Sequence, residues 1–519
     1  MHNHLKFNLP DGYDEKQLIS GLADYYGIKK ERPARKSMVI YDTFDWRLFD
    51  KSLVLYASGN KLFLRKLFKN EIVHVTEITS PPVFIWDFSD SKLKEQLAPI
   101  IKMRALFKLV EVHSRSTPWC LLNQDEKTVV RLVYEEIRPS RGKNAPVLAV
   151  YLWLNPVKGY QKDSRNLTKR LKESGFAACK KEDIYFKALE AVEKQPGSYS
   201  SKLKIRLDPD MRSDEAAKII LRFLLQVMKI NQNKIEKDLD TEFLHDFRVA
   251  IRRTRSALSQ IKSVFPQETI GRFKKDFVFV GKLSNQLRDL DVYLLKEDTY
   301  KGMLPSGLRD DINPLFGYLR KKRSKALKKV ISGLESKKFA QIMQDWESFL
   351  HEPQQNSPTA SNADLPIIRL ARKRIYQQYR SIVKSGNLIL KKTEDEKLHA
   401  LRIECKKLRY LMEFFSSLFA RQTIDSLIEQ LKKLQDNLGD FNDLCVQQDY
   451  LMDIAGEIPA IDPNSQKVLV AIGSLIGTLD RNKQIVKNAF AKTYTNFAAP
   501  PNKRLFQDLF ASKTKAATA

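Results

Sequence analysis

The feature that most constrains the fold of this 519-residue chain is an internal repeat in its second half. Residues 244–255, LHDFRVAIRRTR, resemble residues 398–409, LHALRIECKKLR, at an offset of 154 positions. A second pair of segments, KLSNQLRDLD at 282–291 and KLQDNLGDFN at 433–442, follows at an offset of 151. Two matched segments at nearly the same separation predict two copies of one multi-helix unit.

Each copy of the first motif places its basic residues on one face of a helix. At about 100° per residue, the basic row of the first copy falls within an arc of roughly 80°. The rows are His245, Arg248, Arg252 and Arg255 in the first copy and His399, Arg402, Lys406 and Arg409 in the second. Neither motif places a carboxylate within its arc, so the like charges repel one another and an external anion would stabilise them. A solvated helix face is the alternative for one row alone. The repetition favours a shared groove that suits a long anion.

The net charge also indicates an anionic partner. Lys and Arg number 90 against 62 Asp and Glu, which gives +28 and an isoelectric point near 9.7. Such an excess predicts a polyanion or an anionic surface as partner, but it does not distinguish between polyanions. Both halves of the chain are basic, so the pattern of cations must locate the site.

The four cysteines are too scattered for a disulfide scaffold or a metal site, and no signal peptide or membrane-spanning segment is visible. We therefore expect a cytoplasmic protein with no membrane association, no metal and no cofactor.

The two halves of the chain differ in hydrophobic period and predict an α+β multidomain protein. Residues 1 to about 195 contain short runs rich in Val, Ile, Tyr and Phe, which predict an antiparallel sheet or barrel. A turn-rich segment at 195–202 predicts a linker, and the sequence beyond it has a helical period. The polar stretch at 351–364 predicts a flexible connector between the two copies.

The repeated half, over about residues 203–510, resembles the CHAD domain family. The resemblance rests on the two basic helices and on the segments that end in RDLD at 288–291 and GDFND at 439–443. It implies an all-α domain of two pseudo-symmetric four-helix bundles, at about 203–350 and 365–510. It also implies a basic channel that binds inorganic polyphosphate without catalysis, and association with polyphosphate granules.

The candidate polyphosphate-binding residues are the cations of both motifs and basic residues on the neighbouring predicted helices. They are His245, Arg248, Arg252, Arg253, Arg255, Lys282, Arg288, Arg320, Arg323, Arg369, Arg372, His399, Arg402, Lys406, Lys407, Arg409 and Lys433. Four acidic residues, Asp289, Asp291, Asp440 and Asp443, are expected to orient arginines. Nucleic-acid binding through the same surface is the alternative partner hypothesis. The basic arcs lack the aromatic residues that usually stack on bases, with Phe247 and Tyr410 lying off them.

The first half, residues 1–195, resembles the CYTH family, whose fold is the triphosphate tunnel. The resemblance rests on residues 40–55, IYDTFDWRLFDKSLVL, on an opening strand with Lys6 and on residues 180–189, KKEDIYFKAL. Active members of that family open with Glu-x-Glu-x-Lys, whose glutamates hold a divalent metal ion. The aligned residues here are His2, His4 and Lys6, so both carboxylates are missing.

Other parts of the tunnel motif are also missing. The strand at 148–154, LAVYLWL, has no acid, and the segment at 53–56, LVLY, has no base. The polar residues that remain are Asp42, Glu135, Lys6, Arg65, Lys66 and Arg131. Metal-assisted hydrolysis needs a carboxylate cluster to fix the ions. We therefore expect a catalytically inactive domain with at most weak anion affinity, and residual triphosphatase activity is the alternative.

Overall fold

The computed structural model describes residues 5–10, 12–69, 71–139, 146–179, 184–353, 360–457 and 465–511. The chain divides into two compact units, residues 1–200 and 201–519, at the turn-rich segment. His2, His4 and the first four residues of the 180–189 segment lie outside the described residues.

The first unit is built on a ten-stranded antiparallel sheet. Its strands are β1 (Leu5–Asn8), β2 (Gly27–Lys30), β3 (Ala34–Thr43), β4 (Leu53–Ser58), β5 (Lys61–Lys66), β6 (Ile72–Glu77), β7 (Leu106–Leu122), β8 (Thr128–Arg138), β9 (Ala149–Pro156) and β10 (Ala177–Ala178). They follow the order β10-β1-β9-β8-β7-β3-β4-β5-β6, and β2 also pairs with β7. The helices of this unit are α1 (Glu15–Ala23), α2 (Ser91–Ile101), α3 (Gln161–Glu173) and α4 (Ile184–Glu190).

Alternating side chains on β8 and β9 explain how the sheet buries one face. Leu132 lies opposite Leu154, and Tyr134 lies opposite Leu152. These buried side chains belong to one apolar cluster with Leu167 and Leu171 of α3. Because strand side chains alternate between faces, this register directs the apolar set of each strand to the same core.

The second unit is helical. Its helices are α5 (Ser213–Ile235), α6 (Thr241–Gln260), α7 (Gln267–Leu283), α8 (Asn285–Leu294), α9 (Glu297–Met303), α10 (Asn313–Leu334), α11 (Lys337–His351), α12 (Ile367–Lys391), α13 (Asp395–Phe414), α14 (Arg421–Ala455), α15 (Ser465–Phe497) and α16 (Pro500–Phe510). The predicted fold class, an antiparallel sheet unit followed by an all-α unit, is confirmed. None of the described helices is both long and apolar enough to cross a membrane.

The sequence repeat is also a repeat of helices. The helices α12, α13 and α14 begin at residues 367, 395 and 421, each 154 residues after α5, α6 and α7 begin at 213, 241 and 267. The helices α6 and α13, which carry the basic motifs, both have 20 residues.

The two copies differ near the second motif. The helical period of residues 271–297 predicts one helix there, but the chain divides at the buried Ser284 into α7 and α8. The second copy continues as one 35-residue helix, α14. The fall in offset from 154 to 151 means that the first copy holds three more residues before this motif.

The connector predicted to be flexible is packed in its described part. His351 is the last residue of α11, and the side chains of Ala360 and Ala363 are buried. The backbone N–H of Asn362 donates to the carbonyl oxygen of Ser263 at 2.8 Å, and Asn362 Nδ2 donates to the carbonyl oxygen of Lys262 at 2.9 Å. These bonds attach residues 360–363 to the segment that follows α6.

Candidate anion-binding site

The basic face of α6 is fixed by a cap and by a buried apolar face. The side chain of Asp240 accepts hydrogen bonds from the backbone N–H groups of Glu242 at 2.9 Å and Phe243 at 3.2 Å, which starts the helix. Phe243 and Phe247 are fully buried. Because these residues face the core, the adjoining arc that begins at His245 faces away from it.

The helices α6 and α13 pack together, and two adjoining cavities lie along their basic faces. The smaller cavity has a volume of about 270 Å³ and the larger has about 400 Å³. Three cationic or titratable side chains, His245, Arg252 and Arg402, line both cavities. The repeated motifs therefore contribute jointly to one groove.

Each cavity has further cations of its own. Arg248, Arg288 and Lys296 line the smaller cavity, while Arg253, Lys406 and Arg409 line the larger one.

Arg248 and Arg288 of the smaller cavity are partly withdrawn from solvent, and Arg248 is bonded to neutral groups. Arg248 Nη1 donates to Ser284 Oγ at 3.0 Å and to Asn285 Oδ1 at 2.8 Å. Burial lowers the pKa of Arg248 to about 10, and burial also lowers the pKa of Arg288. Among the described residues, the buried Nη1 of Arg288 has no hydrogen-bond acceptor. Such a donor is costly to bury until an acceptor reaches it.

The larger cavity concentrates positive charge around Lys406. Burial, together with the neighbouring guanidinium groups of Arg402 and Arg252, lowers the pKa of Lys406 to about 8. Arg402 is similar, because burial lowers its pKa and its buried Nε has no acceptor in the described part of the chain. Arg402 Nη2 lies 3.5 Å from Asp443 Oδ1, which is a long contact. An anion in this cavity would compensate the positive charge that the carboxylates lining it only partly balance.

Carboxylates reach both cavities from outside the basic arcs. Asp289 and Asp443 line the smaller cavity, and Asp246, Glu413 and Asp436 line the larger one. Glu413 accepts hydrogen bonds from Arg253 Nη2 at 2.8 Å and from Arg409 Nε at 2.7 Å. The two basic arcs contain no carboxylate, but the groove that they help to form does.

Nine of the predicted binding residues line neither of these two cavities. They are Arg255, Lys282, Arg320, Arg323, Arg369, Arg372, His399, Lys407 and Lys433. Arg323 donates to both oxygens of Asp238, at 2.7 and 2.6 Å, and its Nε donates to Asp291 at 2.7 Å, so carboxylates already neutralise its charge. Arg320 is paired with Glu297.

The two motif histidines occupy different positions. His245 lines both cavities, whereas His399 is exposed and its Nδ1 lies 2.6 Å from Asn442 Oδ1. The groove is therefore not symmetric with respect to the repeat.

Two cations and two aromatic residues of the site were not among the predicted ones. Lys202 lines the larger cavity, and Lys296, which lines the smaller one, lies in the turn between α8 and α9, so no helical spacing in the sequence identifies it. Tyr293 lines the smaller cavity, and Tyr410 lines the larger one. Aromatic rings therefore accompany the cations in the groove, although none lies within the two sequence arcs.

In the first unit, the two carboxylates that remain of the tunnel motif, Asp42 and Glu135, both form hydrogen bonds with nearby groups of the protein. Asp42 accepts hydrogen bonds from the backbone N–H groups of Thr43 at 2.7 Å and of Leu48 and Phe49 at 3.0 Å. Burial raises the pKa of Asp42 to about 7. Glu135 Oε2 accepts a hydrogen bond from Trp153 Nε1 at 2.7 Å. Both carboxylates therefore have structural partners.

The four cations that remain of the tunnel motif, Lys6, Arg65, Lys66 and Arg131, also contact neighbouring groups. Lys6 Nζ lies 3.3 Å from the ring centroid of Tyr151, and Arg65 Nη1 donates to the carbonyl oxygen of Leu67 at 3.2 Å. Lys66 pairs with Glu71 at 2.9 Å. Arg131 is exposed and lies 3.7 Å from Glu31. Among the residues that the structure describes, no group of three or more His, Cys, Asp and Glu side chains is placed to hold a metal ion.

Comparison with known proteins identifies part of the helical unit. Residues 219–452 match the family model described as the CHAD domain. No match was found among curated proteins.

The solved structures that are similar to this chain include three at low sequence identity. The CHAD domain from the plant Ricinus communis is 22% identical, with a TM-score of 0.48, and the match covers 57% of this chain and 94% of that chain. PptA from Streptomyces chartreusis is 15% identical, with a TM-score of 0.44 and coverage of 55% and 99%. HpAC1 from Hippeastrum, which has a dominant triphosphatase activity, is 14% identical, with a TM-score of 0.24 and coverage of 38% and 100%.

Proposed function

Because residues 219–452 form a CHAD domain, we propose that this protein binds inorganic polyphosphate, without catalysis, in the groove between α6 and α13. The observation that carries the proposal is the junction of the two cavities, where His245, Arg252 and Arg402 line both. A flexible chain of phosphates is long enough to follow both cavities and to contact the cations of both repeats.

The contacts are multivalent and electrostatic. A guanidinium group donates two parallel hydrogen bonds to phosphate oxygens, and phosphate oxygens are suitable acceptors for the unbonded Nε of Arg402 and Nη1 of Arg288. Each neutralised phosphate releases a condensed counterion, so the affinity falls steeply as the salt concentration rises.

The test compares two fourfold variants with the same change in charge. The groove variant carries Arg248→Gln, Arg252→Gln, Arg402→Gln and Lys406→Gln. The control variant carries Lys282→Gln, Arg369→Gln, Arg372→Gln and Lys433→Gln, whose side chains are exposed and line neither cavity. Binding of labelled long-chain polyphosphate is measured at fixed ionic strength, and far-UV circular dichroism reports the helical content.

The groove variant should lose roughly 100-fold in affinity at unchanged helical content, because four of the closest phosphate contacts are removed. The control variant should stay within about threefold of the unmodified protein. Equal losses in both variants would mean that only bulk charge matters. Retained affinity in the groove variant would place the site elsewhere.

Nucleic-acid binding is the second candidate, and one observation favours it. Tyr293 and Tyr410 line the cavities beside the cations, and aromatic rings are common in single-strand binding sites. Competition of labelled polyphosphate with single-stranded RNA and DNA at fixed ionic strength separates the two functions. Polyphosphate should be displaced only weakly by either nucleic acid at equal phosphate concentration. Equal displacement would favour a general polyanion site.

For the first unit we propose no triphosphatase activity, since Asp42 and Glu135 both have structural partners. Tripolyphosphate should release no phosphate above background with Mg²⁺ or Mn²⁺. Metal-dependent release that is abolished by Glu135→Gln would contradict this.

Polyphosphate binding also leads us to propose a cytoplasmic location in association with polyphosphate granules. A fluorescent fusion should colocalise with granules, and the groove variant should be dispersed.

A further inference from the structure

Lys406 differs from a typical surface lysine in its surroundings. It lines the larger cavity together with four arginines, which are Arg252, Arg253, Arg402 and Arg409. Of the carboxylates that line the same cavity, Glu413 is already bonded to Arg253 and Arg409. Burial and the guanidinium groups of Arg402 and Arg252 disfavour the ammonium form of Lys406 more strongly than Asp443 favours it.

This environment favours the neutral, nucleophilic amine form of Lys406. Burial and the nearby guanidinium groups lower the pKa of Lys406 to about 8. Near neutral pH, the neutral amine is therefore more populated at Lys406 than at an exposed lysine. The other titratable groups that line this cavity are His245, Asp246, Arg253, Arg409, Tyr410, Glu413 and Asp436, together with Lys202.

Neighbouring lysines lack this combination and provide internal standards. Lys407 donates to Glu404 Oε1 at 2.5 Å, so a carboxylate already balances its charge. Lys433 is exposed, lies 3.8 Å from Glu429 and lines neither cavity. A difference in reactivity between Lys406 and these two residues therefore reports the cavity itself.

We propose that Lys406 is acylated without an enzyme by small acyl phosphates, such as acetyl phosphate, that bind in the larger cavity. The phosphate group of the reagent lies against Arg252 and Arg402, which places the acyl carbon near Lys406 Nζ. The amine lone pair attacks the carbonyl carbon and forms an amide bond. The bond from the acyl carbon to the phosphate oxygen breaks, inorganic phosphate leaves with that electron pair, and the amine proton is released to water.

Acylation removes one positive charge from the groove. On the premise of the proposed function, this lowers the affinity for polyphosphate, so the modification would couple binding to the supply of acyl phosphates. The acylation step itself does not depend on polyphosphate.

The test incubates the full chain with acetyl phosphate in the absence of polyphosphate. Occupancy at each lysine is then measured over time by mass spectrometry after digestion with a glutamyl endopeptidase. Lys406 should be acetylated at least tenfold faster than Lys407 and Lys433. Added inorganic phosphate should slow the reaction at Lys406 but not at Lys433, because it competes for the arginines.

A second reagent separates phosphate binding from simple basicity. p-Nitrophenyl acetate carries no phosphate, so the preference for Lys406 over Lys433 should be at least threefold smaller than with acetyl phosphate. Arg252→Gln should reduce this preference with acetyl phosphate more than with p-nitrophenyl acetate.

Equal rates at Lys406 and Lys433 with acetyl phosphate would overturn the proposal. So would equal preferences with the two reagents, because they would remove the phosphate-binding step. Polyphosphate affinity of the unmodified protein is measured separately, so failure of acylation leaves the binding proposal untouched. Failure of binding likewise leaves the acylation rates interpretable.

Discussion

Arg253 and Glu413 form an ion pair, with Nη2 donating to Oε2 at 2.8 Å, although 160 residues separate them in sequence. Arg253 belongs to α6 in the first copy, and Glu413 belongs to α13 in the second. The other oxygen of Glu413 accepts from Arg409 Nε at 2.7 Å. The Arg253 and Glu413 side chains are only 13% and 15% exposed. One carboxylate thus joins the two repeats and balances two cations at the edge of the larger cavity.

Replacing this carboxylate should strengthen polyphosphate binding. In Glu413→Gln the charge is lost, so Arg253 and Arg409 become available to phosphate oxygens. We expect affinity to rise by roughly three- to tenfold at low salt, with the gain shrinking as salt increases. The same substitution should lower the free energy of unfolding by about 1–3 kcal/mol, because the arginines lose a charged acceptor.

The matched control for this prediction is Asp425→Asn, which changes the net charge equally. Asp425 pairs at 3.6 Å with Arg421, and both side chains are highly exposed. It should change affinity by less than about twofold and stability by less than about 0.5 kcal/mol. If Glu413→Gln behaves like this control, the ion pair does not limit access to the arginines.

The repeat and the two basic faces could be predicted from the sequence because both depend on local periodicity. The matched motifs lie on α6 and α13. The sequence could not show which cations already have a carboxylate partner, since that depends on distant residues. Arg323 is neutralised by Asp238, 85 residues away, and Arg253 by Glu413.

In the first unit, the features that the sequence did not predict depend on the conformation of the backbone. The strand-like runs at 37–44, 61–68, 70–78, 127–137 and 147–156 overlap β3, β5, β6, β8 and β9. The longest strand, β7, is not among these runs, and it contains Pro118, a residue that normally argues against a central strand. The structural use of Asp42 could not be anticipated either, because it requires the turn that brings the N–H groups of Leu48 and Phe49 to one carboxylate.

The two motif histidines should differ in their effect on pH dependence. His245 lines both cavities, while His399 is bonded to Asn442 and lines neither. An imidazole gains a positive charge as the pH falls through about 6.5, so polyphosphate binding should tighten between pH 7.5 and 5.5. His245→Gln should reduce this effect, and His399→Gln should preserve it. If His399→Gln removed the pH dependence of binding and His245→Gln preserved it, the responsible histidine would be His399, and the prediction would be wrong.

At alkaline pH, Lys406 should control the loss of affinity. Its pKa is lowered to about 8 by burial and by nearby guanidinium groups, so it loses its positive charge as the pH rises from 7 to 9. Binding should therefore weaken over this range and take up a proton. Lys406→Arg remains cationic and should flatten the decline. The polyphosphate affinity of Lys433→Arg, a variant outside the groove, should fall with pH as it does in the unmodified protein. If the affinity of Lys406→Arg fell equally, Lys406 would not be the source of the pH dependence.

Asp42 should matter for stability and not for catalysis. Its carboxylate accepts three backbone N–H bonds, from Thr43 and Leu48 at Oδ1 and from Phe49 at Oδ2. Asp42→Ala removes all three acceptors and should destabilise the first unit by about 3 kcal/mol. Asp42→Asn keeps the oxygen that serves Thr43 and Leu48, so it should cost less. Thermal and denaturant unfolding of the full chain would measure the loss of stability in both variants. Losses below about 0.5 kcal/mol in both Asp42→Ala and Asp42→Asn would contradict this structural role.

The close contact between α12 and α15 makes Gly386 sensitive to substitution. A Cβ atom at this position would lie 2.0 Å from Cε2 of Tyr494. The tyrosine cannot move freely, because its hydroxyl donates to the Val383 carbonyl at 2.8 Å and lies 2.9 Å from Asn387 Oδ1. Gly386→Ala should therefore cost about 2–3 kcal/mol through overpacking. At Gly473, in α15, an added Cβ would meet no described atom within 4 Å. Gly473→Ala should instead stabilise the helix by about 0.5–1 kcal/mol, and equal effects of the two substitutions would contradict the packing of α12 against α15.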